Sequence, residues 1–180
     1  NWPEKHAYGK AILTCSPYRK SLDTMSFDAQ GYDIHKIAIK KNTQWVETGY
    51  SYDGWDLNIA LDTLRSRQDT FDILIEYTAK PYDLEVEGGR AITDAKGLYF
   101  INPENDPDGH MPQIWTQGET EHNSAWFPTI DKPNEKITHE IAITVDSNLR
   151  TISNGRIDFI TQNGNGTRTD YWTMEKPHAP

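Results

Sequence analysis

The 180-residue sequence predicts an all-β fold, a sandwich of antiparallel or mixed strands. Three observations carry that expectation. Apolar and polar residues alternate with period two along most of the chain. β-Branched and aromatic residues fill those runs, and Gly, Asn and Asp clusters separate them. Helical periodicity nowhere lasts beyond about one turn.

The elements follow in order. Ala11-Ile12-Leu13-Thr14-Cys15 is an alternating run, which makes Cys15 a core residue. Ile34, Lys36, Ala38 and Lys40 interleave with His35, Ile37 and Ile39. After the Asp53-Gly54 turn, Leu57, Ile59 and Leu61 alternate with Asn58 and Ala60, and Asp62 to Arg67 is a connector. Phe71, Ile73, Ile75 and Tyr77 alternate with Asp72, Leu74 and Glu76. From Tyr82 to Gln113 the pattern lapses into a long loop segment containing Gly88-Gly89, with Gly97-Leu98-Tyr99-Phe100 as a short apolar island. Ile137, His139, Ile141, Ile143 and Val145 form the clearest strand. The turns Asn154-Gly155 and Gly164-Asn165-Gly166 bracket Ile157, Phe159 and Thr161, and Tyr171 and Thr173 follow. No linker or repeat interrupts the chain, so residues 1–180 are expected to form one domain.

A net charge of -9, from 18 basic and 27 acidic residues, argues against a nucleic-acid or anionic-membrane surface, which needs clustered Lys and Arg. No apolar stretch reaches the roughly 20 residues of a membrane-spanning helix. The single cysteine supports neither an internal disulfide framework nor a cysteine-ligated metal, and the compartment stays open.

Two motifs imitate metal sites. His139-Glu140-Ile141-Ala142-Ile143 begins like H-E-x-x-H, which works because a helix brings positions four apart onto one face. Here the fifth position is Ile143, and strand positions four apart lie about 13 Å from each other. Glu104-Asn105-Asp106-Pro107-Asp108-Gly109 is similar to a calcium loop, but the late bidentate glutamate is replaced by Trp115, so an acidic surface loop holding at most an adventitious calcium is expected. Asn165-Gly166-Thr167 matches a glycosylation acceptor and also reads as an ordinary hairpin tip. Six tryptophans would suit a carbohydrate-binding face, although nothing places several of them on one surface.

The segment from Trp115 to Pro133 differs in kind. Thr116-Gln117-Gly118-Glu119 reads as a small-residue turn holding an amide and a carboxylate, flanked by Trp115, Trp126 and Phe127. A carboxylate partly desolvated by such neighbours binds an ammonium strongly; the competing reading is an exposed polar turn. Phe127-Pro128-Thr129-Ile130-Asp131-Lys132-Pro133 closes the segment as an aromatic-proline corner.

These two pieces resemble the T-Q-x-E … F-P-x-x-D-x-P signature in the N-terminal domain of the aminopeptidase N family of zinc metallopeptidases. Further segments resemble the family in the same order: Tyr8 to Thr14 its second strand, Leu22 to Gly31 its L-x-L-D-A-x-G strand and turn, Asp53 to Leu61 its L-x-I-x-L strand. Ile73 to Tyr77, Gly97-Leu98-Tyr99, Ile152-Ser153-Asn154-Gly155 and Trp172-Thr173-Met174 continue the match along nearly the whole chain. The departures are the absent arginine and cysteine of the family's A-R-x-x-F-P-C, and Lys132 in place of its glutamate.

The resemblance implies a saddle-like β-sandwich that packs in cis against a zinc-bearing catalytic domain. It implies that Glu119 binds the free α-amine of a peptide substrate and that Gln117 lines the first side-chain pocket. Zinc would belong to the parent enzyme and none to these residues, a first strand would precede residue 1, and these residues alone would show no peptidase activity. A non-catalytic scaffold of peptidase-like architecture and a carbohydrate-binding sandwich stand as the alternative readings.

Overall fold

A computed structural model of the chain describes residues 2–18, 20–85 and 95–180. The Gly88-Gly89 turn lies outside the described residues. The chain packs as two compact units, Asn1–Lys132 and Pro133–Pro180. The only helical element among the described residues is one 3-10 turn, Asn123–Ala125; everything else regular is strand. None of their helices is long and apolar enough to cross a membrane.

Among the described residues the first unit contains nine strands: β1 (Ala7–Cys15), β2 (Leu22–Asp28), β3 (Tyr32–Lys41), β4 (Gln44–Glu47), β5 (Tyr50–Tyr52), β6 (Asp56–Arg65), β7 (Phe71–Ala79), β8 (Gly97–Ile101) and β9 (Gln113–Gln117). They form a four-stranded sheet in the order β1-β7-β3-β4, a three-stranded sheet β2-β6-β5 and the pair β8-β9. All of the pairings are antiparallel. Phe27, Ile37, Ile39, Leu57, Ile59 and Ile75 from the two larger sheets pack into one core, which makes the unit a β-sandwich.

Strand β3 shows how irregularity rescues a pattern. Ile34 and the pair Ile37 and Ile39 have opposite parity, so a regular strand would send them to opposite faces. A β-bulge between Ile34 and Lys36 absorbs one residue, and all three isoleucines reach the same core. Leu22 and Phe27 share that core across a similar shift in β2. Central strand β7 is covered on both faces, so Leu74 and Thr78 are buried along with Ile73, Ile75 and Tyr77. Cys15 packs against the core from β1.

Two sequence expectations are corrected, and two short strands add to those the pattern predicted. The segment from Asp62 to Arg67 is no connector, because β6 continues to Arg65. Strands β4 and β5 are four and three residues long, too short for a period-two run to register, yet both hydrogen-bond to longer neighbours. Thr116 and Gln117 belong to β9, so the turn starts at Gly118.

The second unit is the antiparallel sheet β10 (Ile137–Asp146), β12 (Thr167–His178) and β11 (Arg156–Gln162), with β12 in the centre. Asn165 shapes the β11–β12 hairpin tip by accepting hydrogen bonds from the Thr167 backbone N–H and hydroxyl. Fully buried Asp170 accepts from Thr151 Oγ1 and from Arg168 Nη2 at 2.8 Å, so the one deeply buried charge of this sheet is paired.

His139 stands on β10 and meets His178 of β12, with Nδ1 of the first 3.0 Å from Nε2 of the second. Burial and the neighbouring imidazole hold the His139 pKa below its ordinary value of 6.5. A base whose folded pKa is depressed stabilises the fold fully above the unfolded pKa and loses that contribution as pH falls through the folded one. Hydrogen-exchange protection of β10 and β12, corrected for intrinsic rates, is therefore expected to drop between pH 7.5 and pH 5.5, roughly spanning the histidine range. In His139→Asn the drop disappears. Equal protection at both pH values in the unsubstituted chain would contradict this account.

Candidate functional site

The candidate site is built from the end of β9 onward. β8 and β9 pair so that Gly97 faces Gln117 and Tyr99 faces Trp115. The Trp115 indole stacks on the Tyr99 ring at 5.2 Å between centroids and 28° between planes. Gln117, the last residue of β9, is half-buried, and Glu119 is exposed two residues later. The peptide between Glu119 and Thr120 is cis. No protein hydrogen bond or ion pair engages the Glu119 carboxylate among the described residues.

Two glycines let this turn close. At Gly118 a Cβ would lie 1.9 Å from the Asn123 side-chain oxygen, so the Asn123 amide occupies the space that any larger residue needs. At Gly97, with φ of +69°, a Cβ would lie 2.1 Å from the His122 carbonyl oxygen, a backbone clash that no rotamer relieves. The His122 N–H donates to the Gly118 carbonyl at 2.9 Å and pulls residues 118–122 into a compact loop.

The loop is then fastened to the sandwich through Ser124, which is fully buried. Its carbonyl accepts from the Tyr32 hydroxyl at 2.7 Å and from the Gln30 N–H at 2.8 Å. Its hydroxyl accepts from Gln30 Nε2 at 2.9 Å. The Ser124 N–H donates to Asp131 Oδ2 at 2.8 Å. Asp131, only 3% exposed, in turn donates its own N–H to Asp28 Oδ2 at 2.7 Å. Asp28 and Thr129 complete the tie with a pair of reciprocal backbone bonds. Each bond satisfies a backbone or side-chain group that burial would otherwise leave unpaired.

The aromatic corner is structural. Trp126 and Phe127 pack edge-to-face at 4.6 Å, Phe127 reaches the core, and the Trp126 carbonyl accepts from the Tyr77 hydroxyl at 3.1 Å. Of the three aromatic residues expected to flank Glu119, Trp115 alone is a large exposed apolar side chain, at 47%. Glu119 is itself exposed, so the described residues do not form the apolar enclosure expected for it. Lys132 forms an ion pair with Glu121, which raises the Lys132 pKa; exposed as it is, the pair adds little stability.

His139 and Glu140 lie on a strand, and His139 turns to His178. The 102–110 loop is organised by Asn102, whose Oδ1 accepts the Asp106 N–H while its Nδ2 donates to the Asp106 and His110 carbonyls. Among the described residues no three His, Cys, Asp or Glu side chains converge to hold a metal. The tryptophans are likewise dispersed: Trp2 packs on Phe100, Trp115 on Tyr99, Trp126 on Phe127, and Trp172 donates to Thr151.

Fold and site together define an all-β domain that displays one glutamine and one glutamate at a braced strand end. The chain matches the Peptidase M1 N-terminal domain over residues 1–179 and belongs to that family, the β-rich N-terminal domain of zinc aminopeptidases. It is 34% identical to leucine aminopeptidase 2 of Vanderwaltozyma polyspora over 84 residues, which are 47% of this chain and 12% of that protein. The M1 zinc metallopeptidase from Deinococcus radiodurans shares its fold with a TM-score of 0.78 at 18% identity, over 97% of this chain and 36% of that one. Native yeast LTA4 hydrolase matches with a TM-score of 0.65 at 15% identity, over 98% of this chain and 25% of that one. The chain therefore spans well under two thirds of the length of each of these relatives.

Proposed function

We propose that this domain binds the free N-terminus of a peptide substrate for a zinc aminopeptidase, with Glu119 accepting the α-ammonium and Gln117 lining the first side-chain pocket. The observation that carries the proposal is an exposed, unpartnered carboxylate at the end of a strand whose following turn is braced by buried hydrogen bonds on both sides. With no partner among the described residues, this carboxylate is accessible to a ligand. Membership of the M1 N-terminal family supports the assignment.

The division of labour follows from chemistry. The ammonium of a peptide N-terminus is a fixed cation with three donors, and a carboxylate is its natural acceptor. Glu119 faces solvent here, so the desolvation that strengthens the pair comes from the substrate and from protein outside these 180 residues. A site that desolvates a carboxylate rejects ligands unable to replace the lost water, which selects a free N-terminus over an internal bond. Hydrolysis itself, with zinc and its ligands, is assigned to a catalytic domain in cis. The test is Glu119→Gln in the full-length enzyme: efficiency toward aminoacyl substrates falls while folding is unchanged, and unchanged efficiency overturns the proposal.

A further inference from the structure

We infer that Trp115 is a specificity-determining residue for the same site and favours peptides whose first side chain is large and apolar or aromatic. The inference rests on the proposed roles of Gln117 and Glu119.

Residues two apart on a strand point to the same face, about 6 to 7 Å from each other. Trp115 and Gln117 are so related on β9. The stack of Trp115 on Tyr99 fixes which face that is, because these two residues are directly opposed in the ladder. On that face the neighbour across from Gln117 is Gly97, which contributes no side chain. The His122 carbonyl and Ala125 fill the space over Gly97, so the ground beside Gln117 is walled on the β8 side and bounded by the indole along β9.

The indole is also held for the purpose. Tyr99 beneath it is 9% exposed, whereas Trp115 is 47% exposed, so one side of the indole is covered by the tyrosine stack and the remainder is presented to solvent. A ring already immobilised by stacking loses little conformational freedom when a ligand packs on it. Trp126 and Phe127, by contrast, are engaged with each other, and Phe127 also packs against the core. A flat apolar surface of this kind rewards side chains in proportion to the area they bury, with an added gain for aromatic rings.

The experiment is a reporter series in the full-length enzyme, with alanyl, leucyl, phenylalanyl and arginyl substrates, for the unsubstituted protein, Trp115→Ala, Trp115→Phe and Glu119→Gln. In Trp115→Ala the ratio of kcat/KM for the phenylalanyl over the alanyl substrate is expected to fall about tenfold. The leucyl ratio follows in the same direction, and Trp115→Phe restores most of both. Glu119→Gln lowers all four substrates alike and leaves the ratios in place. If Glu119→Gln lowers nothing, the amine-binding reading itself fails. If it behaves as expected but Trp115→Ala leaves the phenylalanyl ratio unchanged, only the role of Trp115 is overturned. A uniform loss across the series in Trp115→Ala, with a lower melting temperature, would make the indole a packing surface for another part of the protein. A selective loss for the arginyl substrate would replace the apolar class with a cationic one.

Discussion

Glu119→Gln in the full-length enzyme is expected to lower kcat/KM for free-amine substrates by about thirty- to hundredfold, with no change in thermal stability. The substitution keeps size and shape and removes the charge. A hydrogen bond to a charged group contributes about 1.5 to 3 kcal/mol, and each 1.4 kcal/mol is about tenfold in rate or affinity. The stability half of the expectation follows from exposure and from the absence of a protein partner for this carboxylate among the described residues. A domain that needed Glu119 to fold would show the reverse pattern, with lost melting temperature and unaltered efficiency per folded molecule. Steady-state kinetics beside thermal unfolding of the same preparations separates the two.

Asp131→Ala is expected to destabilise the first unit by about 3 kcal/mol, read from urea unfolding. The side chain is buried and accepts the Ser124 N–H at 2.8 Å, with Asn123 Nδ2 at 3.5 Å from its other oxygen. Removing it leaves a buried N–H without an acceptor, and that orphaned donor alone costs about 1 to 3 kcal/mol. The loss of a charge-assisted bond adds to this. Asp131→Asn keeps the shape and one acceptor oxygen and should lose about half as much. Because Ser124 also holds Tyr32 and Gln30, loosening it frees the turn that carries Glu119, so amine binding weakens through a residue remote from the amine. A change below about 0.5 kcal/mol, the size of an ordinary surface substitution, would contradict the bracing role.

The strands with long, strict alternation were legible because one buried face imposes its period on the sequence. β10 is of this kind: its burial alternates along its whole length, and from His139 to Asp146 it runs in register with β12. Legibility failed where the backbone departs from a regular ladder. In β3 the bulge changes the parity between Ile34 and Ile37, so simple alternation assigns one of them to the wrong face. In β9 the polar Thr116 and Gln117 looked like a turn because the strand has little apolar face of its own.

The motifs were legible as words but not as a mechanism. Gly97-Leu98-Tyr99, Thr116-Gln117-Gly118-Glu119 and Phe127 to Pro133 are three separate signals in the sequence. In space they share one joint: Gly97 makes room for the His122 carbonyl, Gly118 makes room for Asn123, and Asp131 holds Ser124. The tie from Asp131 to Asp28 joins residues 103 positions apart, a contact that no local pattern encodes. Lys132, a departure from the family pattern in the sequence, pairs with Glu121.

The most direct measurement is a thermodynamic cycle on the full-length enzyme, comparing a non-hydrolysed peptide ligand with its des-amino analogue, each bound to the unsubstituted protein and to Glu119→Gln. If Glu119 receives the α-ammonium, the substitution weakens the amine-bearing ligand by about thirty- to hundredfold and barely changes the des-amino one, giving a coupling of about 2 to 3 kcal/mol. Equal weakening of both ligands, or of neither, would contradict the assignment of this carboxylate as the site of N-terminus recognition.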